Sequence, residues 1–339
     1  MLTPPSQDAR NAARDRLAAL AIPTGALGRL GDLAVWWAAV RGEATPAPAA
    51  NVRAVVFAGD HGVAAHGVSA YPAAVTGAMV RAFVTGVAGV AVLARQHDVA
   101  LRVYDLGVDG DFPDLDPEIG AFKIRRGSAP IHLTDGMTAD EARRAVDAGA
   151  QIAAREIEAG ADLLIGGDMG IGDTTTAAVL TAAVLGLPAE EVVGRGTGID
   201  DAALKVKTEV IAAAIDRARD RAADPLDLLA AVGSPDIAAQ AGFISAAAQA
   251  GVPVLLDGAI ATAAALVAER LTPGVTPWLA AGHRSTEGAQ WHALKDLGLE
   301  PLLDLGMRLG EGSGAVAAVP LVRSAALLLA QIARLDEIL

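Results

Sequence analysis

The chain of 339 residues is long enough to bury a substantial core, and it carries a formal net charge of −13 at pH 7. Hydrophobic residues make up 53% of it and aromatic residues only 3%, so we expect a finely packed, alanine-rich and helix-rich core. This acidity argues against nucleic acids and anionic membranes as partners, because both require a basic face, and small molecules are the expected partners.

The absence of certain residues and segments restricts the chemistry and the location that we expect. It contains no cysteine, which excludes disulfides, thiolate metal sites and a cysteine nucleophile. The first residues lack the basic and apolar regions of a signal peptide. The longest apolar stretches, at 174–188 and 259–268, are shorter than the ~20 residues that span a bilayer. We therefore expect a cytoplasmic protein without a membrane segment.

The first fifty residues predict a small helical unit. Helical spacing covers residues 6–20 and 28–41, and the proline-containing stretch 43–50 is typical of a linker. The main domain is expected to begin after it.

From Val52 onwards, short β-type runs alternate with helical ones, which predicts a mostly parallel sheet covered by helices on both faces. Nearly every run ends in Gly, Asp or both. Because ligands bind outside the carboxyl ends of strands in open α/β sheets, we expect the binding site there. The predicted strands are Ala54–Phe57, Leu101–Tyr104, Asp162–Ile165, Val252–Leu256, Pro277–Ala280 and Pro301–Leu305.

The loop after the first strand carries Asp60, His61 and His66. These residues could form a metal site, but the two histidines are five residues apart and no second carboxylate accompanies them. Hydrogen bonding or orientation is the favoured role. A single helix is expected beyond this loop, over residues 73–96.

A glycine-rich loop, Gly166–Thr176, follows the third strand and opens an alanine-rich helix, a placement that aims unpaired backbone amides at an anion. It matches neither a Walker A loop nor the dinucleotide-binding fingerprint. The alternative is a structural helix start capped by Asp173 or Thr174, and both interpretations can hold together. Further on, Lys205 and Lys207 are either phosphate ligands or ordinary surface lysines.

The last glycine-rich loop, Asp304–Gly314, follows the sixth predicted strand and precedes an alanine- and leucine-rich helix. In it Glu311 lies between Gly310 and Gly312, which allow a positive φ and the close approach of a ligand. Glu311 could accept a proton from a bound substrate. The alternative is that it only favours the positive end of a helix dipole.

Several of these motifs together resemble the nicotinate-nucleotide:dimethylbenzimidazole phosphoribosyltransferase family, whose members make α-ribazole phosphate for the lower ligand of cobalamin. The resemblance extends from about Leu20 to Leu335, and the motifs occur in the expected order and at the expected separations. They are Ile22–Leu30, Gly59–Val63, Gly167–Thr175, Val254–Gly258 and Met307–Gly314.

The resemblance implies a Rossmann-like α/β catalytic domain over residues 51–314, with a mostly parallel sheet and helices on both faces. It implies a small helical domain of residues 1–50, completed by about 315–339. It also implies a homodimer that uses nicotinate mononucleotide and dimethylbenzimidazole, with no metal and no cofactor.

The family's general base is the glutamate of the last motif, which corresponds to Glu311 here. The other roles carry over by position in the motifs. Donor and phosphate binding falls on Met169, Gly170, Ile171, Lys207, Ser285, Gly310 and Gly312; acceptor binding falls on Tyr71, Met79 and Leu309; and Asp168, Asp60 and His61 are secondary candidates.

The sequence departs from the family pattern in the phosphate loop, where Asp168 and Asp173 replace a glutamate and an asparagine. The shorter side chain withdraws the Asp168 carboxylate by about 1.5 Å, one methylene, which argues against a direct catalytic role. Tyr71 and Met79 replace more polar residues of enteric members, so the preferred acceptor base is expected to differ.

The implied reaction needs a base and no acid. The nicotinate nitrogen leaves neutral, whereas the attacking benzimidazole must lose a proton, which Glu311 can accept. We expect a single displacement at ribose C1 with inversion. Two alternatives on the same fold are a nucleotide glycohydrolase, in which Glu311 activates water, and a non-catalytic nucleotide-binding regulator.

Overall fold

The computed structural model of the protein describes residues 2–339 and contains a five-stranded sheet in which all paired strands are parallel. The order across the sheet is β2-β1-β3-β4-β5. The predicted parallel α/β sheet is confirmed. Its strands are β1 (Val52–Gly59), β2 (Val99–Gly107), β3 (Leu163–Met169), β4 (Val254–Leu256) and β5 (Leu279–Ala281).

Helices cover both faces of this sheet, and their alanine content lets them pack closely. Gly149 of one helix and Gly242 of another allow the tightest contact, because a Cβ on Gly149 would lie 1.7 Å from the carbonyl oxygen of Ala239. The helices are α1 (Gln7–Ala19), α2 (Arg29–Arg41), α3 (Ala74–Thr85), α4 (Gly89–Gln96), α5 (Ala139–Glu158), α6 (Asp173–Leu185), α7 (Ala189–Val192), α8 (Asp201–Ala218), α9 (Pro225–Val232), α10 (Pro235–Gln249), α11 (Ala259–Leu271), α12 (Gly288–Asp296), α13 (Ser313–Gln331) and α14 (Leu335–Ile338).

The sixth predicted strand, Pro301–Leu305, is wrong. Leu302 and Leu303 donate their N–H groups to the carbonyls of Ala281 and Gly282 at the end of β5, and Leu303 pairs with His283 in an isolated bridge, but the pairing goes no further. The apolar run is short, and from Asp304 onwards the chain is exposed and turns at Gly306, which has a φ of 66°. The segment thus hydrogen-bonds to the sheet edge and leads to the Glu311 loop without forming a sixth strand.

The single helix predicted over residues 73–96 is also wrong, because Gly86 interrupts it. Gly86 takes a left-handed φ of 76°, and its N–H donates to the carbonyls at the end of α3. Ala88 is extended and precedes α4. The break creates a new helix amino terminus at α4, which becomes part of the site described below.

The helices from the two chain ends pack together. Helices α1, α2 and α13 contact one another, and the Arg16 guanidinium donates to the carbonyls of Leu329 and Ala330 at 2.6 and 2.7 Å. Helix α13 also contacts β3 and α4, so its packing continues into the main core. The domain boundary near residue 50 stays a prediction.

Two segments, Ala74–Gln96 and Ser313–Gln331, are long and apolar enough to cross a membrane by length and composition alone. The expectation that all apolar stretches were too short is corrected on this point. The first segment is broken at Gly86, and the second is helix α13, which packs on the sheet. Apolar core helices of a folded domain pass the same test.

Candidate active site

A pocket of about 780 Å³ lies at the carboxyl ends of the strands, where the strand-end residues predicted it. Its wall combines the loops after β3, β4 and β5, one side of α3, and the last glycine-rich loop. Most of the predicted site residues line it. They are Tyr71, Met79, Asp168, Met169, Gly170, Ile171, Ser285, Leu309, Gly310 and Glu311.

Glu311 is 6% exposed and points across the pocket wall to another helix. Its Oε2 accepts a hydrogen bond from the N–H of Val90 at 3.0 Å, in the first turn of α4. The carboxylate therefore lies at the amino terminus of α4. It does not lie at the amino terminus of α13, the helix that follows Glu311 in the chain. Burial raises the pKa of Glu311; the Val90 hydrogen bond opposes this shift, and the negative charge of Asp257 adds to it. A raised pKa makes Glu311 a better proton acceptor.

Leu309 and Glu311 both approach the glycine at the start of α4. A Cβ on Gly89 would lie 2.5 Å from Cδ2 of Leu309 and 3.4 Å from Oε2 of Glu311. The apolar Leu309 side chain and the Glu311 carboxylate thus share one corner of the pocket. An aromatic ring bound there would meet an apolar surface and a proton acceptor together.

Lys207 lies behind the pocket wall and is fully buried. Its Nζ donates to Oγ1 of Thr174, a wall residue, at 2.8 Å. Burial lowers the pKa of Lys207, against the opposing effect of the carboxylates of Glu287 and Asp173. The alternative of an ordinary surface lysine is excluded for Lys207, whereas Lys205 is exposed.

A second cation, Arg308, lines the pocket and was not among the predicted site residues. Its Nη1 donates to the carbonyl of Gly196 at 2.8 Å, which joins the last loop to the loop before α8. The N–H of Gly196 donates to Oε1 of Glu287 at 2.9 Å. The Gly196 segment is therefore held from both sides, close to Lys207.

The loop after β3 is only partly the free-amide cradle that was predicted. The N–H of Ile171 donates to Oγ1 of Thr76 at 3.1 Å, so a bound phosphate would have to replace that bond. Helix α6 begins at Asp173, and the residue at its N-cap position is Gly172, so neither Asp173 nor Thr174 is the N-cap residue. Asp173 instead accepts from the N–H of its neighbour Thr174.

His61, a secondary candidate, lies in a fully buried cluster beneath this loop. Its Nδ1 is 2.8 Å from Oγ1 of Thr176, and its Nε2 is 3.0 Å from Oδ2 of Asp236. A Cβ on Gly170 would lie 2.2 Å from the carbonyl oxygen of Gly59 and 2.8 Å from that Nε2, which explains the glycine above it. Asp236 carried no sequence signal, because it lies in the first turn of α10, far along the chain.

The predicted grouping of Asp60, His61 and His66 is not assembled. Asp60 accepts from the N–H of Asp109 at 2.8 Å, and the His66 ring packs on the ring of His132. Among the described residues, His61, Asp168 and Asp236 have ligand atoms within 4.8 Å of one another, close enough for a metal ion. The His61 ring is already bonded to Asp236, which fits the favoured hydrogen-bonding role.

The carboxylates of this cluster have opposite pKa shifts. Burial, together with the charges of Asp236 and Asp173, raises the pKa of Asp168 well above its usual range. Burial alone would lower the pKa of His61 and raise that of Asp236, but their mutual attraction reverses both shifts. The cluster thus holds an ion pair between His61 and Asp236, and beside it the Asp168 carboxyl group, whose charged form is disfavoured by burial.

Fold and pocket together define an α/β enzyme with a small-molecule site at the carboxyl edge of a parallel sheet. A family model described as phosphoribosyltransferase matches residues 2–338. The nicotinate-nucleotide–dimethylbenzimidazole phosphoribosyltransferase of Mycobacterium avium is 53% identical over 332 residues, which are 98% of this chain and 95% of that protein. The protein of the same name from Mycobacterium leprae is 50% identical over 324 residues, 96% of this chain and 92% of that protein.

Two solved structures from Thermus thermophilus agree with these relatives. One, of the phosphoribosyltransferase with the same name, has a TM-score of 0.93 and 43% identity. The other, of CobT, has a TM-score of 0.94 and 45% identity, and each comparison covers 98% of both chains. The chain belongs to the nicotinate-nucleotide:dimethylbenzimidazole phosphoribosyltransferase family. The resemblance is confirmed, and the alternative of a non-catalytic regulator is not supported.

Proposed function

We propose that the protein transfers the 5-phosphoribosyl group of nicotinate mononucleotide to 5,6-dimethylbenzimidazole. The products are nicotinate and α-ribazole 5′-phosphate, a step in assembling the nucleotide loop of cobalamin. The names of the relatives supply the substrates. The observation that carries the proposal is the buried Glu311 carboxylate, which has a raised pKa and lies against the apolar corner of the pocket.

In this reaction Glu311 acts as the general base. The benzimidazole nitrogen that attacks ribose C1 leaves a proton on the other ring nitrogen, and Glu311 removes it. The departing nicotinate nitrogen carries positive charge in the donor, so it leaves neutral and needs no acid. General-base assistance of this kind is typically worth ~10²–10⁴-fold, and the remaining acceleration comes from holding the two substrates in line.

The donor phosphate is assigned to the end of the pocket near Lys207. Its ammonium lies next to the Thr174 hydroxyl in the wall, and Arg308 supplies a second cation from the facing loop. A bound donor phosphate replaces the Thr174 hydroxyl as the acceptor of the Lys207 ammonium, and the new hydrogen bond is charge-assisted. Ser285, Met169, Gly170 and Gly310 complete the donor side as proposals. The predicted Gly312 does not line the pocket, and its N–H is bonded to Asp257.

Inversion is supported by the environment of Asp168. Retention would need a second carboxylate that attacks C1 to form a ribosyl-enzyme intermediate. Among the carboxyl groups that line the pocket, Asp168 is the one that we nominate for that role, and its raised pKa disfavours the ionised form that a nucleophile needs. A single displacement follows, from the β-linked donor to the α-linked product.

The acceptor side is lined by Tyr71, Met79 and Leu309, which suit a methylated aromatic ring. Tyr71 and Leu309 are 56% and 54% exposed, and Val87 beside them is 72% exposed. This apolar mouth supports the prediction that a second copy of the chain covers it in a homodimer. The homodimer and a cytoplasmic location both remain proposals.

Product analysis with the purified protein tests the function. Nicotinate mononucleotide and dimethylbenzimidazole are incubated with the enzyme, and the products are resolved by liquid chromatography and mass spectrometry. Equal amounts of nicotinate and α-ribazole 5′-phosphate are expected. Release of ribose 5-phosphate without a benzimidazole nucleotide would favour the glycohydrolase, and no turnover of the donor would overturn the proposal.

A further inference from the structure

We propose that Asp257 is a positioning residue that holds the backbone of the Glu311 loop and thereby sets the place of the catalytic carboxylate. The idea rests on the proposed role of Glu311 as the base. The sequence showed Asp257 only as the last polar residue of a strand-end motif. The structure gives it a connection to a loop more than fifty residues away.

The contacts of Asp257 are three backbone amides around Glu311. Its Oδ1 accepts from the N–H groups of Gly314 and Ala315 at 2.8 and 3.0 Å, and its Oδ2 accepts from the N–H of Gly312 at 3.2 Å. Helix α13 begins after Gly312 without a capping bond from its own side chains. Asp257, 3% exposed at the end of β4, therefore caps α13 from a distance.

The loop needs such support because its conformation is unfavourable. Gly310, Glu311 and Gly312 have φ values of 76°, 65° and 90° in succession. Glycine tolerates this region, but a residue with a Cβ does so only when its surroundings impose it. The hydrogen bonds from backbone N–H groups to Asp257 begin at Gly312, directly after Glu311. They fix the path of the chain that follows the strained residue.

Packing on the other side of the loop completes the support. A Cβ on Gly167 in β3 would lie 2.2 Å from the carbonyl oxygen of Glu311, so the strand presses directly on the loop. Nε2 of His283 lies 3.4 Å from Oδ1 of Asp257, and the His283 ring packs on Gly314. The Glu311 backbone is thus confined between β3 and the Asp257 carboxylate.

The charge of Asp257 gives the inference a signature that a merely structural role lacks. Asp257 is one of the groups that raise the pKa of Glu311. Removing its charge while keeping its shape should therefore lower the pKa of the base as well as loosen the loop. Lower basicity appears in the pH dependence of turnover, whereas general destabilisation does not move it.

The test is the variant Asp257→Asn, in which an NH₂ group replaces one of the two accepting oxygens. Turnover should fall ~10-fold or more with the KM for the donor nearly unchanged, because small displacements of a reacting group are costly. The acid limb of the kcat profile should move to lower pH. Hydrogen exchange at the amides of Gly312, Gly314 and Ala315 should accelerate.

The matched control is Asp224→Asn. Asp224 caps α9 by accepting from the amides of Leu226 and Asp227, so it has the same chemistry at a site outside the pocket wall. This variant should keep the wild-type pH profile and kcat, and it should lose less stability than Asp257→Asn because Asp224 is exposed. If both variants behave alike, or if Asp257→Asn keeps wild-type kcat and exchange rates, the inference is overturned.

Two further measurements separate this inference from the proposed function. Adding Asp257→Asn to Glu311→Gln should cost little more turnover than Glu311→Gln alone, because Asp257 acts through Glu311. If Glu311→Gln has wild-type turnover, the proposed base fails, while amide exchange still reports on the loop.

Should Asp257→Asn not fold, the variant Asp257→Glu replaces it. Asp257→Glu keeps the charge but moves it by about 1.5 Å, and wild-type kcat in that variant overturns the inference.

Discussion

Val90 donates its backbone N–H to the Glu311 carboxylate at 3.0 Å, so the proposed base is held by a helix terminus 221 residues away. That terminus exists because Gly86 ends α3 and the chain re-enters a helix at Gly89. The bond fixes one carboxylate oxygen and leaves the other for the substrate. Burial nevertheless outweighs the bond, and the pKa of Glu311 is raised.

The first prediction concerns pH and Glu311→Gln. Glutamate accepts a proton only when ionised, so activity should fall as pH drops through a pKa above the usual ~4.3 for this side chain. Glu311→Gln should lower turnover ~10²-fold or more, with donor binding nearly kept. Steady-state rates across pH and donor titrations measure both effects.

A matched control is Glu269→Gln. Glu269 also accepts backbone N–H groups, from Gly274 and Thr276, but it lies outside the pocket wall. Its turnover should stay at the wild-type level. Wild-type turnover in Glu311→Gln itself would remove Glu311 from the mechanism.

The second prediction concerns Lys207→Met, which keeps most of the side-chain length and removes the charge. Hydrogen bonds to charged groups are worth ~1.5–3 kcal/mol, so the donor should bind ~10- to 100-fold more weakly. Acceptor affinity should change less. Calorimetry with each substrate measures the two affinities, and Lys205→Met on the same helix is the control. An equal loss for both substrates would contradict the phosphate assignment.

The sequence predicted those parts of the site that are local in the chain. Glycines and carboxylates at strand ends located the pocket, and the Gly310-Glu311-Gly312 triplet identified the base candidate. The partners that tune these groups come from distant elements: Asp236 beneath His61, Val90 and Asp257 around Glu311. Within its own segment, none of these residues has a feature that predicts a role. Each reaches the site only through the tertiary fold.

The two wrong elements have the same origin. The apolar spacing before and after Gly86 is helical, so periodicity alone joined two helices that a single left-handed residue separates. The run Pro301–Leu305 has strand-like residues, but its backbone hydrogen bonds to the end of β5 stop after one bridge, so no strand forms. Local sequence propensity led to both predictions, whereas tertiary packing determines the conformation of both segments.

The third prediction concerns Asp168→Asn and stability. The folded-state pKa of Asp168 is raised, so the folded protein keeps a proton that the unfolded chain releases above about pH 3.9. Asp168 therefore opposes folding increasingly as pH rises from there towards its folded pKa. Asparagine has the same shape and does not ionise. The free energy of unfolding of Asp168→Asn, relative to that of the wild type, should therefore be greater at pH 7 than at pH 4.

Chemical denaturation at the two pH values measures this difference. Asp8→Asn, exposed in the first turn of α1, should show a smaller dependence on pH and serves as the control. A relative stability of Asp168→Asn that falls as pH rises would mean that Asp168 is ionised in the folded protein.

The last prediction is stereochemical and combines the states of both carboxyl groups. Glu311 lies at the apolar corner of the pocket, where it can take a proton from the acceptor, whereas burial and the neighbouring carboxylates raise the pKa of Asp168 well above its usual range and so disfavour the ionised form that could attack C1. A single displacement then converts the β-linked donor into an α-linked nucleotide. NMR of the product should show the α-anomer, and Asp168→Asn should reduce turnover less than Glu311→Gln. A β-linked product, or a ribosyl-enzyme adduct found by mass spectrometry after rapid quenching, would instead require a nucleophile and a two-step mechanism.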